Sequence, residues 1–301
     1  MRVIITGGTG LIGRALVEVL APQGHEIIIL SRDPTLASPA IRQQPNIETL
    51  GWDGRTAGGW GHLITAESAI INLAGASPAH WRWTASHKAL IRESRLNAIA
   101  AITQAIERHG PPEVLVQASA SGYYGNRGDE PLVETSPPGR GFRADVCQVV
   151  EAAIAAASGC RRCIARTGIV LDTHAGAFPP LLLFARMLGR QLGTGHQWIP
   201  WIHRRDAARA IQFLIEQRDC SGPYNLCAPA VATNRDFLRA VHHVLWQPAI
   251  FPLPAFVPRA LLGEEASVIL DSQRMLPQRL LRTGFTFEYP HLEQALRQLL
   301  A

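Results

Sequence analysis

The sequence predicts an α/β fold: a Rossmann-type, doubly wound parallel sheet with a smaller C-terminal substrate lobe. Three observations support this prediction. A strand, a glycine-rich turn, a helix and a second strand follow one another within about thirty residues at the N-terminus. The strand segments carry apolar residues on both faces, as in parallel strands that helices cover on both sides. After residue 171 this rhythm gives way to a proline-rich and aromatic region.

Local sequence patterns predict the individual strands and helices. The β-branched run RVIIT (2–6) predicts the first strand, the apolar spacing of 11–24 predicts a helix that ends at Gly24, and HEIIILS (25–31) predicts the second strand. Further strands are predicted at 47–52, 69–75, 114–121 and 163–171, and helices at 88–110, at 144–159, from about 205 to 217, from about 234 and at 291–300. Together they describe a parallel sheet followed by a smaller lobe.

Composition and charge exclude several classes of protein. The chain has 301 residues, 47% hydrophobic and 18% charged, with a net charge of +5. Because its basic residues are scattered, we expect a small anionic ligand and no nucleic-acid partner. No apolar run reaches the roughly 18 residues of a membrane span, so we expect no membrane partner. Five dispersed cysteines predict a reducing cytoplasm, and neither a second C-x-x-C nor a Cys/His cluster completes a metal site around Cys160 and Cys163.

The glycine-rich turn predicts a dinucleotide site. In ITGGTGLIG, Gly7, Gly10 and Gly13 follow a strand and open a helix, with Thr9 and the pair 11–12 between them. Glycines allow a tight turn and close backbone approach, and the free N–H groups at the helix start receive a pyrophosphate. We therefore expect Gly7, Thr9, Gly10, Leu11, Ile12 and Gly13 to contact the cofactor.

The end of the second strand favours NADP over NAD. An acidic residue there would bind the ribose hydroxyls of NAD, but this chain has Ser31 and Arg32. A guanidinium beside a hydroxyl matches a 2′-phosphate in charge and geometry. Two alternatives stay open: Arg32 is a solvated residue at a strand end, or Asp33 binds the ribose while Arg32 points away.

The chain resembles the extended short-chain dehydrogenase/reductase superfamily and, within it, the atypical NAD-dependent epimerase-like, or YfcH-like, family. Short motifs in a fixed order carry the resemblance across nearly the whole chain: TGGTGLIG, INLAG (71–75), WRW (81–83), SRLN (94–97), SASGYYG (119–125), RTGIVL (166–171), WIHRRD (201–206) and the block 276–296. The resemblance implies an NAD(P)-binding epimerase-like domain at 1–245, with a Rossmann core at about 1–171 and substrate-lobe segments after it. A small accessory domain follows at 246–301.

The resemblance also implies further cofactor contacts. Residues 72–75 match the loop that passes beneath the adenosine ribose, and Arg82 is expected to reach the phosphates. The complete implied set is Trp52, Asp53, Asn72, Leu73, Ala74, Gly75, Arg82, Arg166 and Gly168. Helices on the outer faces of the sheet are expected to support a homodimer, as is common in the superfamily.

The usual catalytic pair of the superfamily is missing. A Tyr transfers the proton and a Lys four residues later lowers its pKa, because a free phenol is a poor base at neutral pH. The stretch GFRADVCQVVE (141–151) lies where this pair belongs, and it offers either Arg143 and Cys147 or Phe142 and Val146. Neither register restores the chemistry.

Other proton-transfer candidates remain in the sequence. We select Ser119, which lies at the end of a strand at the carboxyl edge of the sheet, Tyr123 and Tyr124, which follow this strand, and His203. The alternatives are that the tyrosines pack the loop against the second lobe, and that His203 helps to cap a helix. Lys88, the sole lysine, is interpreted as a solvated helix start.

Two functions compete at this point. The first is an NADP(H)-binding oxidoreductase or epimerase-like enzyme acting on a small polar substrate, such as a sugar or nucleotide sugar. The second is a nonenzymatic NADP(H)-binding sensor or scaffold with a link to cell division. The cofactor fingerprint supports both, and the missing Tyr–Lys pair favours the second.

Overall fold

The computed structural model describes residues 1–36, 41, 43–77, 83–187 and 189–300. Fifteen strands are described: β1 Arg2–Thr6, β2 Glu26–Ser31, β3 Ile47–Gly51, β4 Ala69–Asn72, β5 Val114–Ala120, β6 Pro131–Leu132, β7 Arg161–Thr167, β8 Ile169–Leu171, β9 Gly189–Leu192, β10 Trp198–Ile199, β11 Trp201–His203, β12 Gly222–Leu226, β13 Ala232–Thr233, β14 Phe251–Leu253 and β15 Arg274–Met275. Seven of these strands, all from the first 226 residues, build one central sheet.

The α-helices of the described residues are α1 Leu11–Leu20, α2 Ala85–His109, α3 Phe142–Ala153, α4 Phe178–Arg186, α5 Arg204–Glu216, α6 Asn234–Leu245, α7 Phe256–Leu262, α8 Ser267–Leu270, α9 Gln278–Arg282 and α10 Leu292–Leu300. Thr84 caps α2, its side chain accepting a hydrogen bond from the His87 N–H. The helix therefore starts a few residues before the apolar spacing predicted.

The central sheet has seven parallel strands in the order β12-β7-β5-β4-β1-β2-β3. The chain winds outward from β1 to β3, returns to the other side of β1 and continues from β4 to β12. This arrangement confirms the predicted doubly wound Rossmann-type fold. Its switch point lies between β1 and β4, where the carboxyl ends of the strands open a crevice.

The apolar strands have two buried faces because helices cover both sides of the sheet. In β1, Val3 and Ile5 face a layer that contains α1 and α5, whereas Ile4 faces a layer that contains α2. All three side chains are fully buried. The absence of polar alternation in these strands thus follows directly from the two-sided packing.

Two differences from the sequence-based predictions change which strands form the central sheet. The predicted strand 163–171 is broken at Gly168, where a Cβ atom would lie 2.5 Å from the Pro200 carbonyl oxygen. Its second part, β8, leaves the central sheet and pairs with β11. The segment Gly222–Leu226, which was not predicted as a strand, forms the edge strand beside β7.

The smaller lobe has a hydrophobic cluster of its own. Phe178 of α4 and Phe237 of α6 meet edge to face with ring centroids 6.0 Å apart. Ala295 and Leu296 of α10 are fully buried in the same cluster. The last helix of the chain therefore shares a core with the segments that follow residue 171. None of the described helices is long and apolar enough to cross a membrane.

Candidate cofactor and catalytic site

A groove of about 740 Å³ lies at the carboxyl ends of the first four strands. Gly7, Ser31, Trp52 and Leu73 line it, each at or just after the end of one of these strands. We call it the glycine-turn groove. It occupies the switch point of the sheet, where ligands bind in doubly wound folds.

The glycine-rich turn is shaped for close backbone contact. Gly7 has φ +69°, and a Cβ on it would lie 2.9 Å from the Leu73 carbonyl. A Cβ on Gly13 would lie 2.5 Å from the Gly8 Cα. Gly10 caps α1 without any side-chain hydrogen bond, and the first turn holds no acidic residue. The N–H groups at 11–13 and the positive end of the helix are therefore available to an anion such as a pyrophosphate.

Ser31 and Arg32 lie at the opposite side of the groove. The Ser31 hydroxyl donates to the Asp33 carbonyl oxygen at 2.9 Å. Arg32 is exposed and forms no hydrogen bond or ion pair with any described residue. The Asp33 carboxylate instead accepts hydrogen bonds from the hydroxyl and N–H of Thr35, which lower its pKa. The guanidinium of Arg32 is thus available to bind a phosphate, whereas the Asp33 carboxylate is engaged by hydrogen bonds from Thr35.

A second arginine at this end of the groove was missed by the sequence analysis. Asp53 accepts hydrogen bonds from the N–H groups of Arg55 and Thr56, and the first of these is the main cause of its lowered pKa. Trp52 donates its ring N–H to the Thr56 carbonyl and packs edge-on against Trp60. This turn presents Arg55 to the groove. The sequence Asp-Gly-Arg (53–55), which follows a predicted strand, could have indicated a turn that carries an arginine at the edge of the sheet.

The loop after β4 is held from the interior. The Thr6 hydroxyl donates to the Asn72 side-chain oxygen at 2.6 Å, and the Asn72 amide donates to Gln117 at 2.7 Å. Asn72 is fully buried, so it supports the loop, whereas residues 73–75 line the groove. Asn72 therefore positions the predicted contacts Leu73, Ala74 and Gly75.

A smaller pocket of about 190 Å³ adjoins the groove and shares Leu73 and Ala74 with it. Ser119, near the end of β5, lines this pocket, and we call it the serine pocket. Both candidate registers for the missing Tyr–Lys pair also line it: Phe142 with Val146 and Arg143 with Cys147. Residues four apart on α3 share one face, so the helix directs each pair of side chains toward the pocket.

Ser119 belongs to a buried polar chain. Its hydroxyl donates to Glu151 Oε1 at 2.6 Å, and Arg166 binds both carboxylate oxygens of Glu151 at 3.0 and 2.7 Å. Burial lowers the pKa of Arg166, but its bonds to Glu151 and its interaction with Tyr124 more than reverse that effect and raise it. Glu151 was missed by the sequence analysis. A carboxylate two helical turns after Arg143 was the signal that could have identified it.

The two tyrosines lie behind the serine pocket and do not line it. Tyr124 is fully buried, and its hydroxyl donates to Asn225 at 2.7 Å while accepting from Arg166 at 3.0 Å. Burial raises its pKa to about 12. The Tyr123 ring lies under the Arg166 guanidinium, 3.4 Å from it. This geometry favours the alternative in which both tyrosines pack and anchor their loop.

Cys147 occupies the position of the missing lysine in one register. Burial raises the pKa of its thiol, so the group is protonated and uncharged at neutral pH. Arg143 donates to the Ser267 carbonyl at 3.2 Å and faces Asp271 at 3.7 Å. The pair thus supplies a cation and a neutral thiol instead of a phenol and an amine.

His203 lies outside both the glycine-turn groove and the serine pocket. Its Nδ1 accepts a hydrogen bond from the Arg205 N–H, which caps α5, and its Nε2 contacts Gln298 at 2.8 Å. The ring packs on Tyr289 with centroids 3.9 Å apart. The helix-capping alternative is therefore what the structure shows for His203.

The environment of His203 predicts a pH-dependent stability. Burial lowers its pKa from 6.5, so the unfolded chain binds the proton more readily than the folded one. The stabilising contribution is complete above pH 6.5 and is lost as the pH falls below it. We expect His203→Asn, which keeps a capping acceptor but does not titrate, to show a weaker loss. Urea unfolding between about pH 8 and about pH 5 measures this difference, and parallel curves for both proteins would contradict it.

The remaining predicted residues are placed as follows. Arg166 and Gly168 line neither cavity, since Arg166 pairs with Glu151 and Gly168 lies at the break between β7 and β8. Arg82 lies outside the described residues. Lys88 pairs with Glu264 on the surface. Among the described residues, no group of His, Cys, Asp or Glu is arranged to hold a metal ion.

The doubly wound sheet and its glycine-turn groove together define a Rossmann-type protein of the nucleotide-cofactor-binding class. A family model described as the NAD dependent epimerase/dehydratase family matches residues 3–227, and a domain of unknown function, DUF1731, matches residues 253–299. The chain belongs to the NAD-dependent epimerase/dehydratase family. This confirms the family that its sequence motifs indicated.

Several relatives match along their full length. Epimerase family protein MT2273 of Mycobacterium tuberculosis is 36% identical over 298 residues, covering 98% of this chain and 96% of the relative. The structure of human epimerase family protein SDR39U1 with NADPH has a TM-score of 0.87 at 31% identity and covers 99% of both chains. UDP-glucose 4-epimerase of Thermus thermophilus with NAD shares the fold at 21% identity, with a TM-score of 0.75 over 99% of this chain and 97% of the other. The NADPH of the human relative agrees with the prediction of NADP.

Proposed function

We propose that this protein is an NADP(H)-dependent oxidoreductase or epimerase-like enzyme that acts on a small substrate in the serine pocket. One observation carries the proposal. The Ser119 hydroxyl lies in a pocket that adjoins the glycine-turn groove, and it is hydrogen-bonded to a carboxylate. A polar proton carrier beside a nucleotide groove is the minimum that hydride chemistry requires of the protein.

The residues of the groove fit NADP(H). The turn at Gly7 and Gly10 would hold the pyrophosphate, and the arginines at 32 and 55 would meet the 2′-phosphate. The NADPH in human SDR39U1 supports the same choice. When bound, NADP(H) supplies or accepts the hydride, and this chain must then move a proton.

Ser119 and Glu151 can move that proton. In the oxidation direction the substrate hydroxyl gives its proton to Ser119 Oγ while Ser119 passes its own proton to Glu151, and reduction reverses both transfers. The 2.6 Å hydrogen bond between the two residues provides the path. Arg166 holds the Glu151 carboxylate in position through two hydrogen bonds.

The nonenzymatic sensor or scaffold is the second candidate. It is favoured by the lack of a phenol or a lysine among the described residues that line the serine pocket. Such a lining is consistent with a protein that binds NADPH without exchanging a hydride. A sugar or nucleotide-sugar substrate remains a sequence-based prediction, and UDP-glucose is the first compound of that class to assay.

The test compares Ser119→Ala with the native protein. We expect NADPH affinity, measured by fluorescence, to stay within about twofold, and turnover to fall by about 100-fold because the proton carrier is gone. Ser121→Ala is the matched control, since Ser121 is buried two residues away and does not line the pocket. Unchanged turnover in Ser119→Ala would remove Ser119 from the mechanism. NADPH binding without hydride transfer across a broad panel would favour the scaffold.

Location and assembly complete the proposal. All five cysteines are free, which supports a reducing compartment such as the cytoplasm. A homodimer through the outer helices is also proposed. Size-exclusion chromatography with light scattering checks it, and a monomer at all concentrations would reject it.

A further inference from the structure

The serine pocket has a positive lining. Arg95 and Arg143 both line it, and no carboxylate does so among the described residues. The Arg95 guanidinium donates to the carbonyl oxygens of Ala76 and Ile91 and forms no ion pair with any described residue. Burial lowers the pKa of both arginines, yet a guanidinium stays charged at neutral pH. The pocket thus offers a buried positive charge without a matching protein anion.

The carboxylates nearby do not cancel this charge. Glu151 lies behind Ser119 and is neutralised by Arg166 through two hydrogen bonds. Asp271 faces Arg143 at 3.7 Å, which leaves Arg95 uncompensated. A ligand that brings its own negative charge would complete the site.

A third cavity, of about 330 Å³, opens next to the serine pocket, and Val268 lines both. We call it the apolar pocket. Its described lining is apolar apart from Ser77 and Glu265, and it includes Leu181 and Phe184 of α4. An apolar cavity of about 150 Å³ accommodates benzene, so the apolar pocket has room for an aliphatic chain of about eight carbons.

We propose that the substrate is an amphipathic carboxylic acid, whose carboxylate binds Arg95 and Arg143 and whose aliphatic chain enters the apolar pocket past Val268. This inference rests on the proposed function, because it names the substrate class of the same site. Ser119 would then face a carbonyl or hydroxyl carbon close to the carboxylate. The class is that of aliphatic oxo and hydroxy acids.

The same geometry argues against a nucleotide sugar. A sugar ring or a base in the apolar pocket would place its hydroxyl or amide groups against Leu181, Phe184 and Ile269. Polar groups buried without partners cost several kcal/mol each. An aliphatic chain gains free energy from the same surface.

The first experiment uses the native protein saturated with NADP⁺ and measures binding by calorimetry. We expect octanoate to bind at least about tenfold more tightly than octanol, because charge-assisted hydrogen bonds to arginine are lost with the alcohol. Octanoate should also bind more tightly than butyrate, which leaves the apolar pocket empty. Equal affinities for octanoate and octanol, or preferential binding of UDP-glucose, would overturn the proposal. Tighter binding of octyl phosphate than of octanoate would reject the carboxylate.

Two variants locate the binding site. Arg143→Gln removes the positive charge but keeps a polar side chain, and Ala177→Trp fills the apolar pocket from its rim. Each is expected to weaken octanoate binding by about tenfold or more. Leu183→Trp is the matched control, because Leu183 lies on α4, the helix that Ala177 precedes as its N-cap, and is 60% exposed and not part of the pocket. If neither Arg143→Gln nor Ala177→Trp weakens octanoate binding, the acid binds at a site other than the serine pocket and the apolar pocket, and the proposal fails.

NADPH titration of the same samples separates the two proposals. Variants that still bind NADPH are folded, so a loss of octanoate binding in them reports on the acid site. If the native protein binds NADPH and reduces a substrate other than an amphipathic acid, the proposed function stands and this inference fails. If it binds octanoate as described but never exchanges a hydride with an oxo or hydroxy acid, the enzymatic function fails, and the acid is a regulatory ligand rather than a substrate.

Discussion

Glu151→Ala is expected to lower the free energy of unfolding by about 3–5 kcal/mol, because it leaves the Arg166 guanidinium buried without a counter-ion. The two side chains are only 9% and 5% exposed, and their closest contact is 2.7 Å. Arg166 also supports Tyr124 and lies over Tyr123, so the loop that follows β5 should loosen as well. Urea unfolding of the purified variant measures the loss.

Two controls define this result. Glu293→Ala removes the partner of Arg297 in an exposed pair on α10, and it should leave stability nearly unchanged, since water replaces the lost interaction. Replacing Glu151 and Arg166 together by Ala and Met should restore much of the lost stability, because no buried charge remains unpaired. A single Glu151→Ala variant as stable as the native protein would show that the pair contributes nothing.

Arg32→Glu is expected to weaken NADPH binding by about 100-fold and to leave NADH binding within a few-fold. The guanidinium has no partner among the described residues, so the substitution breaks no ion pair that holds the fold. It removes a charge-assisted contact with the 2′-phosphate and adds a repulsive charge. Fluorescence titration with both cofactors measures the ratio.

Arg218→Glu is the control for net charge, since Arg218 is 85% exposed and lies on the surface beside Glu113. It changes the total charge by the same amount but should alter neither affinity. If Arg32→Glu lowers the affinities for NADPH and NADH equally, Arg32 does not read the 2′-phosphate. Arg55 would then be the next residue to replace.

The central sheet could be predicted from the sequence because its signals are local. Apolar runs and a glycine turn lie within a few residues of each other at the first strand, helix and second strand. The break at Gly168 could not be predicted, because its cause is the close approach of Pro200, thirty-two residues later. The edge strand Gly222–Leu226 likewise becomes a strand through its pairing with β7.

The residues of the candidate site also differ in whether local sequence could predict them. Ser31 ends β2 and Arg32 follows it directly, so their place in the groove follows from the topology. The buried chain from Ser119 through Glu151 to Arg166 joins three separate elements, so the spacing along α3 marks Glu151 but does not reveal its two partners. Tyr124 was selected for its position after a strand, yet a contact with Asn225, about a hundred residues away, determines its orientation.

The burial of the last helix in the cluster of the smaller lobe has a consequence for how the molecule unfolds. Ala295 and Leu296 of α10 belong to the same hydrophobic cluster as Phe237 and Leu238 of α6, so neither helix has a complete core without the other. The two helices should therefore unfold cooperatively. Amide hydrogens of α6 and α10 are expected to exchange with solvent at a common rate, as members of one opening unit. Truncation of the chain before α10 should therefore unfold the whole smaller lobe and not just remove the last helix.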